Sequence, residues 1–105
     1  MRYMVLMRVL FSPEARAEFE DAARYYDEQR QGLGDELRRE IRNFLPQLRR
    51  SPLTFPVERG DIRRLILARF PYKLLYSVEP DYVYVIAVAH RRRSPDYWID
   101  RIGSP

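Results

Sequence analysis

The hydrophobic period of the chain changes at Ser51–Pro56, from helical spacing before that stretch to strand-like runs after it. Helices followed by a run of strands predict an α+β fold, with the helices packed on one side of an antiparallel sheet. Met4 to Phe11 is an apolar run with several strand-favouring residues, and Ser12-Pro13-Glu14 follows as cap, first-turn proline and first-turn acid. A strand therefore hands over to a helix. In that helix Phe19, Ala22, Ala23 and Tyr26 recur at i, i+3, i+4, i+7, while Glu18, Glu20, Asp21 and Arg24 fill the other faces. Gly32-Leu33-Gly34 ends it. A second helix is expected from about Asp35, with Leu37, Ile41, Phe44, Leu45 and Leu48 on one stripe, so the pair makes a helical hairpin. Pro46 removes a backbone hydrogen bond and crowds the Arg42 carbonyl, which predicts a kink or an early stop there.

Ser51-Pro52 through Pro56 reads as a loop, and strands are expected over Ile62 to Arg69, Tyr72 to Glu79 and Tyr82 to His90. Phe70-Pro71 and Pro80-Asp81 supply the turns of an antiparallel meander. In the middle strand Tyr72, Leu74, Tyr76 and Val78 form an apolar face for the helices to cover. Lys73, Leu75, Ser77 and Glu79 form a mixed face, expected to stay open to water or a ligand. Ser94-Pro95-Asp96-Tyr97-Trp98 reads as a cap and a last short helical turn.

With 105 residues, residues 1–105 are read as one domain. A mean hydropathy of -0.52 with 32% charged residues argues against a membrane protein. Arg8 interrupts the apolar start and no cleavage site follows, so the expected location is the cytoplasm. The absence of cysteine excludes disulfides and thiolate metal sites, and one histidine cannot build a metal site alone, so no cofactor or metal is expected. The net charge of +4 is concentrated late: residues 61–105 hold eight basic and five acidic side chains, against five and six in residues 1–30. All basic residues but Lys73 are arginines, which suit planar two-point pairing with phosphate or carboxylate. His90-Arg91-Arg92-Arg93 is a run of like charge that implies an anionic partner.

Two stretches, "VLFSPEARAEFEDAARYY" and "IRRLILARFPYKLLYSVEPDYVYVIAVAHRRRSPDYW", together with the joint pattern of "FPYxxxY" and "AVAHxRR", resemble the RelE/ParE superfamily of type II toxins. The resemblance implies a toxin neutralised by a cognate acidic antitoxin. It also implies one of two targets: mRNA on the ribosome, cut without a metal as by RelE-like members, or DNA gyrase, inhibited without hydrolysis as by ParE-like members. For RNA cleavage, which needs a base, an acid and donors around the phosphate, the positions similar to the family's are Arg64, Lys73, Arg91 and Tyr97, with His90 as a further acid or base. A lysine expected two residues after Arg64 is replaced by Ile66.

The gyrase reading asks only for a surface, here Arg91, Arg92, Arg93 and Trp98, and the "AVxHxxR" strand end looks more like ParE-type members. Plain structural roles stand beside these: Arg64 and Lys73 as solvated sheet charges, His90 as a turn acceptor, and Tyr97 and Trp98 as packing for the tail. A non-toxic nucleic-acid-binding module, stacking bases on Tyr82 and Tyr84, is a third class.

Overall fold

The computed structural model describes residues 7–102. Strand β1 (Arg8–Phe11) leads into helices α1 (Pro13–Gln29) and α2 (Leu33–Arg50). Strands β2 (Val57–Arg59), β3 (Ile62–Ile66), β4 (Tyr72–Val78) and β5 (Tyr82–His90) follow, and a last 3-10 turn spans Ile99–Arg101. This is the expected α+β arrangement, with Met4–Leu6 of the first expected strand lying outside the described residues. The sheet order is β1-β5-β4-β3-β2. β1 runs parallel to β5, pairing Arg8 with Tyr82 and Phe11 with Val85, and the other neighbours are antiparallel.

Helix α1 starts where the cap chemistry places it: the Ser12 hydroxyl accepts from the Ala15 amide at 3.0 Å, with Pro13 in the first turn. The helices turn at Gly32, whose φ of 90° lies in the left-handed region that glycine reaches at least cost. α2 then begins at Leu33, two residues before Asp35, and Gly34 sits so close to α1 that an added Cβ would lie 2.3 Å from the Ala23 carbonyl oxygen. The Gly34 amide donates to the Asp27 carboxylate at 2.7 Å. Pro46 does not stop α2, which continues to Arg50. Pro46 is exposed, so water can serve the Arg42 carbonyl it leaves unbonded. Beyond it Leu48 is buried, and Met7 bonds both the Arg49 carbonyl and its guanidinium, anchoring the last turn.

Between helices and sheet lies the main core, where Ala22 and Ala23 of α1 and Leu37, Ile41 and Leu48 of α2 meet Leu65, Leu74, Tyr76, Val83, Val85 and Val88. The apolar face of β4 is thus covered by the helices. The other face departs from expectation. A bulge shifts the register from Leu75↔Ala87 to Tyr76↔Val85, leaving Ile86 as the extra residue of β5. Ile86, Ala87 and Ala89 then join Ile62, Leu75 and Trp98 in a second core. The tail closes over that patch, because Leu75 and its neighbours would otherwise leave apolar area in water. Strand bounds also differ: the strand expected over Ile62 to Arg69 ends at Ile66, the one expected over Tyr72 to Glu79 ends at Val78, and Val57–Arg59, where no element is expected, forms edge strand β2.

Candidate functional site

Strand pairing sets Arg64 opposite Leu75 and Lys73 opposite Ile66, so both basic side chains stand on β3 and β4 near the β2 edge. Both are already partnered. Lys73 donates to Glu58 at 2.7 Å, and Arg64 lies 3.6 Å from the same carboxylate while donating to the Val57 carbonyl at 2.8 Å. Glu58 is the residue that reading by period missed, since three residues of β2 carry no alternation to recognise.

The strand end that carries His90 lies one strand over, with His90 paired to Tyr72 and the ring edge of one set against the face of the other at 5.0 Å. Nδ1 of His90 accepts from the Arg92 amide at 3.0 Å, so the imidazole braces the turn. The Arg91 amide donates to the Pro71 carbonyl, and the Arg93 amide to the His90 carbonyl. Arg91, Arg92 and Arg93 themselves are exposed, and among the described residues no carboxylate lies in ion-pair range of any of them. Arg91 and Lys73 share a cleft of about 170 Å³ with Ile66, Pro71 and Tyr72. On the other side of Tyr72, His90 and Arg93 share a cleft of about 310 Å³ with Glu18, Asp21 and Tyr25 of α1.

Tyr97 is bound away from Lys73. Its hydroxyl donates to Glu18 at 2.8 Å, and the Arg93 guanidinium covers its ring 3.8 Å from the centroid. Burial, reinforced by the Glu18 carboxylate, pushes this phenol well above its ordinary pKa. Trp98 is 1% exposed in the second core, its indole N–H donating to the Pro95 carbonyl at 2.8 Å. The structure therefore brings Arg64 and Lys73 together at Glu58, sets His90, Arg92 and Arg93 on one turn, and ties Tyr97 to Glu18. It does not bring Tyr97 to the Lys73 and Arg64 pair.

Among the described residues no cluster of three His, Cys, Asp or Glu side chains is arranged to hold a metal ion, and no helix is long and apolar enough to cross a membrane. What this end of the molecule can do chemically is present arginines, braced by backbone bonds and an aromatic ring, to an anionic or aromatic surface.

The fold defines a class. It is that of the RelE/ParE superfamily toxins: a chain from the chromosomal ParDE toxin–antitoxin system of P. aeruginosa superposes with a TM-score of 0.70 at 16% identity, covering 81% of this chain and 96% of that one. A chain from the RelBE2 toxin–antitoxin complex of Mycobacterium tuberculosis superposes with a TM-score of 0.59 at 23% identity, covering 89% and 100%. No curated protein gives a significant sequence match. Residues 9–95 match the family model of the ParE toxin of type II toxin–antitoxin systems, and the chain belongs to that family.

Proposed function

We propose that this toxin is neutralised by a cognate acidic antitoxin and, when free in the cytoplasm, arrests growth by binding DNA gyrase rather than by cutting RNA. The observation that carries the choice of target is the engagement of the nuclease candidates: Lys73 and Arg64 meet Glu58, and the Tyr97 hydroxyl donates a hydrogen bond to Glu18. A metal-free ribonuclease needs such groups free to face one phosphate. The Arg91–Arg93 turn, by contrast, is exposed and braced, as a binding surface requires, with arginine a favoured anchor residue. The two solved relatives come from toxin–antitoxin systems, which supports an antitoxin partner. The excess of positive charge supports an acidic one. One observation favours the ribonuclease reading, the cleft shared by Lys73 and Arg91.

Gyrase supercoiling and ribosome-dependent mRNA cleavage, run side by side on purified toxin, separate the two. Inhibited supercoiling with intact mRNA is expected. Cleaved mRNA with unaffected supercoiling overturns the gyrase reading. Replacing Arg91, Arg92 and Arg93 singly by alanine should lower gyrase inhibition in graded steps, whereas loss of one phosphate-stabilising donor in a ribonuclease costs on the order of 10²-fold.

A further inference from the structure

Glu18 lies on the polar side of α1, yet its side chain is only 18% exposed and its carboxylate receives four hydrogen bonds. Arg101 grips both oxygens at 2.9 and 3.0 Å, the Tyr97 hydroxyl donates at 2.8 Å and the Val88 amide at 3.0 Å. The last of these is a β5 edge group beyond the reach of β1, whose pairing ends at Val85. Arg101 also donates to the Ile86 carbonyl at 3.1 Å, so one carboxylate joins α1, the free edge of β5 and the tail. The tail is held a second time by the 2.9 Å ion pair of Asp96 with Arg59, and Trp98 is buried between these two ties. Arg93 lies over the ring of Tyr97, the residue that Glu18 holds by its hydroxyl.

We infer that Glu18 is a positioning residue for the toxic surface: through Tyr97 and Arg101 it clamps the tail and so sets the direction of Arg93 and of the Arg91–Arg93 turn. The physical reason is that an exposed arginine samples many rotamers, and binding a target must then freeze it. A guanidinium laid on a fixed aromatic ring has lost much of that freedom beforehand. Glu18 touches no target itself. The inference rests on the proposed use of the basic turn, though not on the identity of the target.

The chain's single tryptophan, Trp98, reports the state of the tail. Glu18→Gln keeps the size and an acceptor but removes the charge that Arg101 grips, and Arg101→Ala removes the other half of the clamp. Each variant should keep the wild-type circular dichroism spectrum and show red-shifted, more quenchable tryptophan emission. Each should need roughly tenfold more toxin to arrest growth or inhibit gyrase, the scale of a coupling carried through intervening residues. The double variant should be no weaker than the weaker single, because both changes open one clamp. Should Glu18→Gln fail to fold, Arg101→Ala carries the same test, since it leaves Tyr97 and Val88 their acceptor. Unchanged potency in the variants overturns the inference, and so does a loss of potency matched by an equal loss of folded protein in circular dichroism, which marks general unfolding. Wild-type toxin that arrests growth but spares supercoiling removes gyrase as the target. The ratio of variant to wild type in growth arrest then decides the inference by itself.

Discussion

Replacing Gly34 with alanine tests how closely the two helices are set. The new Cβ would stand 2.3 Å from the Ala23 carbonyl oxygen and 2.6 Å from an Asp27 carboxylate oxygen. Non-bonded contacts settle near 3.5 Å, so α2 must retreat by about 1 Å. The Ala23 oxygen belongs to the backbone of α1 and cannot rotate away. Overpacking of this kind costs about 1–3 kcal/mol. The retreat also stretches the bond from the Gly34 amide to Asp27, now 2.7 Å, and hydrogen bonds to charged groups contribute about 1.5–3 kcal/mol. Better helix propensity offsets up to about 1 kcal/mol.

The net is about 3 kcal/mol of destabilisation, and at about 4–8 °C per kcal/mol for a domain of this size the midpoint should fall by at least about 10 °C. Thermal unfolding followed by circular dichroism reads this directly. Gly32→Ala is the control: its added Cβ meets nothing within 4 Å, so its cost is the left-handed φ of 90° alone, about 1 kcal/mol. If Gly34→Ala melts within about 2 °C of the wild type, or if Gly32→Ala is the worse of the two, the close approach of the helices at Gly34 is refuted.

Trp98→Ala should cost about 3–5 kcal/mol in urea unfolding, because the ring is buried in the second core with Leu75 and Ala87; a loss below about 1 kcal/mol contradicts that burial. Tyr76 is fully buried, with its hydroxyl on the Pro52 carbonyl at 2.6 Å and its pKa pushed up by burial to about 12. An ultraviolet titration should show Tyr76 and Tyr97 both resisting ionisation at pH 11, and Tyr76→Phe should take one tyrosine out of that late step while the other remains. The Arg69 guanidinium, by hydrogen bonding, holds the Glu36 carboxyl below its ordinary pKa, with Arg30 assisting. A carboxyl depressed in the folded state contributes stability that is present above its unfolded pKa and lost as pH falls through the folded one. Arg69→Ala should therefore destabilise the protein at neutral pH and flatten its acid limb, and an unaltered pH profile counts against the pair.

The elements with a clear period were legible because burial imposes it: the stripe of Leu37, Ile41 and Leu48 and the alternation of Leu74 and Tyr76 both face the core they predict. Edge strand β2 was not legible, since Val57-Glu58-Arg59 is too short to show alternation. Nor was the covering of the outer face, because a bulge at Ile86 and a partner at Trp98 are contacts between segments that local pattern does not link. Arg64 and Lys73 could be picked out by type, but the carboxylate that both meet, Glu58, could not. Glu18 and Glu58 look like ordinary polar-face residues until the fold brings Arg101 and Lys73 to them.

The parallel pairing of β1 with β5 has a consequence for how such a molecule comes into being. Residues 8–11 leave the ribosome early, but the strand they pair with is residues 82–85, and Glu18 meets Arg101 across 83 positions. Contacts between such distant segments form slowly, after the loop between them has been closed. During synthesis β1 therefore waits unpaired while the hairpin of helices forms behind it, and the sheet acquires its last neighbour only when β5 has emerged. The arginine turn at residues 91–93, which follows β5 directly, can therefore be set in place only late in synthesis.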